Sequence, residues 1–236
     1  MKLSRIVVDR PLKDARLAVG ITSLLFAFAY ALPSYLEGNG QISDVLFGGV
    51  LGLAVVTVGF AATSRTRPMP HPEPRQRLRR GAGAAGIGVG LGLLNLGANR
   101  ALASLDPRIY DLLIERFDRI SPWGATLATP LVEEVVFRLT VLSAFAWIAS
   151  FVVRNPRGQF ITALWVSSFV FGLLHISRPV VGVWPLDQIY LAGVALKSTV
   201  LGVALGWVFW RWGLPHAILG HALTNGTHWL CEQLLF

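Results

Sequence analysis

The 236 residues are 53% apolar and only 14% charged, with a mean hydropathy of +0.56, whereas a water-soluble domain carries about a quarter charged residues. A net charge of +8 and a pI near 10.5 would suit a nucleic-acid binder, but Lys and Arg gather between apolar runs instead of forming one basic face. That is the pattern of cytoplasmic loops in a polytopic membrane protein, so nucleic acid is not an expected partner. Cys231 is the only cysteine, which excludes an intramolecular disulfide and a cysteine-based zinc site.

In chain order, Lys2, Arg5, Arg10, Lys13 and Arg16 precede a first apolar run, Leu17 to Leu36. Ala29-Tyr30-Ala31 imitates a signal-peptidase site, but further spans follow and the run is expected to be retained. Val45 to Thr63 is a second span of about 20 apolar residues without charge. Residues 64–80 hold six arginines and four prolines; they are read as a non-helical cytoplasmic linker that touches anionic lipid. Residues 81–98 form a glycine-rich third span. Its Gly81-x-Gly83-x-x-Gly86 spacing matches a dinucleotide fingerprint by letters only, because no strand precedes it. Close helix packing in lipid explains the glycines better.

Residues 100–120 mix Arg100, Asp106, Arg108, Asp111, Glu115, Arg116, Asp118 and Arg119 with apolar residues at helical spacing, and an amphipathic interfacial helix is expected there. Four further spans are expected at Ala125–Val153, Phe160–Ile176, Ile189–Trp210 and Leu214 to about Leu230. The fold expected is all-α, a polytopic bundle of about seven spans. It divides into residues 1–121, carrying the N-terminal spans, linker and interfacial helix, and a core over 122–236. Positive-inside bookkeeping puts the N-terminus, the linker, Arg154, Arg157 and Arg211 in the cytoplasm.

The fourth span contains Leu131-Val132-Glu133-Glu134-Val135-Val136-Phe137-Arg138. Charge buried in lipid needs a partner or a function. Glu134 and Arg138 are i,i+4 and can pair directly. Glu133 points about 100° away, so the two glutamates cannot share a face; it has no obvious partner in its own helix, which suits a general base. Phe171 stands one turn before His175. His221 and Asn225 are i,i+4 in an apolar helix, so their polar heads are expected to face one partner. His228 extends that stripe toward the membrane edge, His216 after Pro215 is a helix-start residue, and Lys197 is a snorkelling residue or a counter-charge. Together Glu133, His175, His221 and Asn225 form a set able to activate water: a carboxylate to take its proton, imidazoles to orient it, and an amide or imidazole to stabilise an oxyanion.

At these residues the sequence resembles the intramembrane peptidases of the CAAX-prenyl endopeptidase and bacteriocin-processing family (CPBP, or Abi). Its motifs EExxxR, FxxxH and HxxxN stand here as Glu133 to Arg138, Phe171 to His175 and His221 to Asn225, covering about residues 122–228. The resemblance implies that Glu133 is the catalytic base, that His175, His221 and Asn225 hold water and the oxyanion, and that Glu134, Arg138 and Phe171 support them. It implies a substrate peptide or protein at the membrane, prenylated or a leader peptide, and a protein integral to the membrane, expected to be a prokaryotic plasma membrane. No cofactor is favoured; a zinc alternative would use His175, His221 and Glu133. A non-catalytic scaffold and a proton-coupled transporter are the competing readings.

Overall fold

The computed structural model describes residues 42–66, 74–105, 109, 122–176 and 186–235. Among them every element is helical and no strand occurs. The helices are α1 (Ile42–Thr66), α2 (Pro74–Ala103), α3 (Thr129–Glu134), α4 (Ser143–Ala149), α5 (Pro156–Leu174), α6 (Leu186–Trp212) and α7 (Leu214–Leu235). Two wider-wound π stretches, Gly124–Ala128 and Val135–Leu142, flank α3, so the chain from 124 to 149 is one continuous helical rod with altered winding.

Among the described residues, three helices are long and apolar enough to cross a membrane: Arg75–Ala103, Pro156–Leu174 and Gln188–Trp212. Their outward faces carry large apolar side chains such as Leu94, Trp165, Phe169 and Leu196, a surface suited to lipid and not to water. The expected first span, residues 17–36, lies outside the described residues, as does most of the expected interfacial helix. What is described of residues 100–120 differs from that expectation. Arg100 sits in the last turn of α2, and its guanidinium pairs at 2.8 Å with Glu232 on α7.

The linker expectation also needs correction. Helix α1 runs through Thr66 and α2 starts at Pro74, so only residues 67–73 separate the described helices. Pro74 occupies the first helical position, where the missing N–H has no intrahelical acceptor to lose. The same device starts α5 at Pro156, behind an Asn155 cap whose side chain accepts from the Arg157 N–H at 3.1 Å.

Helices α2 and α7 share the most extensive contact among the described elements, followed by α5 and α6. Gly88 makes the first possible: a Cβ there would lie 2.3 Å from the Gly220 carbonyl oxygen. A tight reversal between α6 and α7 depends on Gly213, whose φ of 95° favours glycine. The core gathers Val56, Ala84, Val135, Leu139, Leu142, Phe160, Leu164, Val208 and Ala217 from helices that are far apart in sequence.

Two glycines of α2 therefore have opposite expected behaviour. A methyl group added at Gly86 would meet nothing within 4 Å, so Gly86→Ala should hold or raise the unfolding midpoint, by the equivalent of about 0.4–1 kcal/mol. Gly88→Ala pushes on backbone and should lower it, by the equivalent of about 1–3 kcal/mol. Thermal unfolding of both variants in one detergent checks the sign.

Candidate active site

Glu134 lies at the end of α3 with no solvent exposure. Its Oε2 pairs with the Arg138 Nε at 3.1 Å, and both side chains are wholly buried, in agreement with the i,i+4 spacing. The guanidinium lies 5.0 Å over the Phe171 ring, a cation–π contact, and none of its three nitrogens makes a hydrogen bond, so its tie to Glu134 is an ion pair. Phe171 in turn stands 4.3 Å from the His175 ring and 4.8 Å from the Phe137 ring, centroid to centroid.

The other oxygen of Glu134 accepts a hydrogen bond from His221 Nδ1 at 2.8 Å. That bond assigns the proton of a neutral His221 ring to Nδ1 and leaves Nε2 with a lone pair. His175 is fixed in the same tautomer by a different acceptor: its Nδ1 donates to the Phe171 carbonyl at 2.8 Å. His175 caps the end of α5, where such carbonyls are left without helical partners.

Glu133 faces the Nε2 edges of both rings. Its Oε1 lies 3.9 Å from His175 Nε2 and its Oε2 lies 3.8 Å from His221 Nε2, with the carboxylate side chain 20% exposed. The two glutamates do leave their helix in different directions, yet both reach His221, because the imidazole lies between them and offers one nitrogen to each. Three lone-pair groups thus converge on a gap bounded by Glu133 and two imidazole edges. A group bearing protons, such as water, is what that gap accommodates.

Asn225 is placed differently from its expectation of sharing a partner with His221. Its Nδ2 donates to the Ala125 carbonyl at 2.8 Å. The reason lies in the winding of the π stretch. The Thr129 N–H bonds back to Gly124, and the next residue, Pro130, has no N–H to give Ala125. Asn225 supplies the missing donor. Pro130 inside an apolar span is the sequence signal for such an orphaned carbonyl.

His228 and Lys197 belong to a separate network. Lys197 Nζ donates to Asn99 Oδ1, and the Asn99 amide donates to His228 Nε2 at 2.9 Å. His228 therefore leaves the His221 stripe to meet α2. His216 is the second residue after the α7 start and packs beside the Trp212 ring, centroids 6.4 Å apart.

His175, His221 and Glu133 have the donor chemistry for zinc. Their separations of 3.8 and 3.9 Å exceed the roughly 3.3 Å that tetrahedral ligands about 2.0–2.1 Å from the metal would take. Among the described residues no group of three or more His, Cys, Asp or Glu side chains is arranged to hold a metal ion.

Removing one member of the buried pair should cost more than removing both charges. Arg138→Met leaves Glu134 uncompensated and is expected to destabilise by about 3–5 kcal/mol, with Arg138→Met/Glu134→Gln recovering part of the loss. Chemical denaturation in detergent measures both; equal losses would mean that the charge pairing is not what Arg138 contributes.

No curated protein and no solved structure matches the chain. Residues 119–227 match a family model described as type II CAAX prenyl endopeptidase Rce1-like. The matched stretch contains all three motifs, Glu133 to Arg138, Phe171 to His175 and His221 to Asn225, and begins after α1 and α2. Residues 119–227 are thus similar to that family, in agreement with the peptidase family that the three motifs resemble.

Proposed function

We propose that this protein is an intramembrane endopeptidase that hydrolyses a peptide bond with water activated by Glu133. One observation carries the reading: the lone-pair edges of His175 and His221 converge on the Glu133 carboxylate at 3.9 and 3.8 Å. Water held there gives one proton to Glu133 as its oxygen adds to the scissile carbonyl carbon. Its second hydrogen is directed to an imidazole Nε2. Proton transfer onto Nε2 would turn an acceptor into a donor for the oxyanion; the proton on Glu133 passes to the departing amine as the C–N bond breaks, and the proton on Nε2 is released to solvent as the carboxylate product leaves, which restores both groups. Asn225 is assigned to the same set, acting through the Ala125 carbonyl to hold the π stretch in place. No metal enters these steps.

The wider topology belongs to the same proposal. We assign about seven spans, an N-terminal region over 1–121 and a catalytic core over 122–236, in a prokaryotic plasma membrane. The exposed Arg75, Arg79, Arg154, Arg157 and Arg211 support a cytoplasmic placement of the end they occupy. The substrate proposed is a membrane-associated peptide, prenylated or a leader sequence. Its apolar part would partition into lipid beside the site.

Glu133→Gln keeps the shape and removes the base. Cleavage of a fluorogenic membrane-anchored peptide should fall by about 10²–10⁴-fold, with an unchanged unfolding midpoint because Glu133 is partly exposed. Wild-type cleavage by that variant sinks the mechanism. Proteoliposome flux lost with Glu133→Gln, in the absence of any cleavage, favours the transporter reading. Chelator treatment, paired with metal analysis of active protein, should leave activity intact; loss of activity restored by zinc refutes the metal-free step.

A further inference from the structure

Phe137 lies inside the octet 131–138 yet takes no part in the steps above. It is 8% exposed and packs on Phe171, itself 2% exposed, with ring centroids 4.8 Å apart and planes at 84°. In that edge-to-face arrangement the positive edge of one ring meets the negative face of the other, which favours one mutual orientation. Arg138, the next residue, places its guanidinium 5.0 Å over the same Phe171 ring. Two adjacent side chains of the glutamate-bearing rod, one apolar and one charged, thereby hold Phe171.

This aromatic contact stands in register with the polar one. Residues 150–155 return the chain from α4 to α5, so the rod and α5 run antiparallel and pack side by side. Glu133 and Phe137 are four apart on the rod, and His175 and Phe171 are four apart on α5. Glu133 meets His175 at 3.9 Å, and one turn along both helices Phe137 meets Phe171. The two contacts are successive rungs between the same two helices. The polar rung cannot fix its own spacing: 3.9 Å is longer than a hydrogen bond, and its side chains are 20% and 16% exposed. The aromatic rung is buried and closely packed. His175 also ends α5, with its ring 4.3 Å from the Phe171 ring and its Nδ1 on the Phe171 carbonyl. Whatever orients Phe171 therefore orients His175.

We propose that Phe137 is a positioning residue: through the Phe171 ring it sets the register of the rod on α5, and so the placement of Glu133 against His175 Nε2. Its effect on rate rests on the peptidase reading; its effect on the His175 ring does not. Phe137→Leu keeps the position apolar but offers no planar edge to hold the Phe171 ring, and leaves that ring room to turn. His175 then loses its fixed neighbour. A displacement of about 1 Å in a reacting group costs on the order of 10²-fold in rate.

The test uses the full chain in lipid nanodiscs, with Phe137→Leu, Phe171→Leu and the double variant. Phe137→Leu is expected to lower kcat for the fluorogenic membrane-anchored peptide by about 10–10²-fold, with KM within about twofold of wild type. Because Phe137 acts through Phe171, the double variant should be no slower than Phe171→Leu alone. Magnetic resonance of protein carrying isotope-labelled histidine gives a readout independent of cleavage. The His175 ring signals, identified by their loss in His175→Gln, should shift in Phe137→Leu as the Phe171 ring turns beside them, while those of His216 stay in place. Circular dichroism and gel filtration check that each variant is folded. If Phe137→Leu fails to fold, Phe137→Met, whose flexible chain fills irregular gaps, takes its place. A wild-type kcat in the folded variant, losses that multiply in the double variant, or unmoved His175 signals overturn the proposal. Failure of the peptidase reading shows itself differently, as wild-type cleavage by Glu133→Gln, and the His175 signals then decide alone.

Discussion

The buried contact of Glu134 with Arg138 and His221 is the constraint on which the rest of the site depends. All three side chains lie in an apolar bundle, with Glu134 and Arg138 at 0% exposure and His221 at 5%. An isolated carboxylate there would cost several kcal/mol. Glu134 has a guanidinium at one oxygen and an imidazole N–H at the other, which offsets the loss of water. A fixed tautomer follows. With Nδ1 committed to Glu134, His221 has only its Nε2 lone pair to present to Glu133. Thus the charge that stays buried determines what the neighbouring, partly exposed charge meets. Arg138 extends this control through the Phe171 face, whose backbone carbonyl holds His175 in the matching tautomer.

The altered winding on either side of α3 has a comparable logic. A π turn inserts a residue into the helical ladder and is often found where function needs it. Here it precedes Pro130, and the two together leave the Ala125 carbonyl without a helical donor. Asn225 on α7 is placed to give it one, at 2.8 Å. One side chain thereby ties the start of the glutamate-bearing rod to the helix that carries His221.

These features are legible in the sequence in proportion to how local they are. The Glu134–Arg138 pair follows from four residues of helix, and the isolation of Glu133 from a 100° rotation, so both can be read from one octet. The all-helical character follows from apolar runs and their glycine content. The partner of Glu134, in contrast, is 87 positions away, and no local periodicity encodes which imidazole nitrogen arrives. Asn225 departs from expectation for a related reason. Its i,i+4 spacing from His221 suggests a shared target, whereas backbone winding around Ala125 and Pro130 supplies a stronger claim on its amide. The proline-rich stretch reads as too long a break because Pro74 looks like an interruption when it is a beginning.

Helix α2 shows how far the site's geometry depends on sequence that carries none of its motifs. It lies outside the matched residues 119–227, yet it has the most extensive contact with α7. Three independent contacts fix the register between them: Gly88 beneath the Gly220 carbonyl, Asn99 on His228, and Arg100 on Glu232. They are spread over about 18 Å of helix at 1.5 Å per residue, so sliding or rotating α7 would break polar contacts at one end and create a backbone clash at the other. His221 follows Gly220 directly. The position of its Nε2 is therefore set from both sides, by Glu134 through the ring and by α2 through the backbone. A motif-bearing segment of this kind is incomplete as a physical object without a neighbour of matching shape. In this chain the glycines of α2 provide that shape, and its two polar residues near the far end hold it.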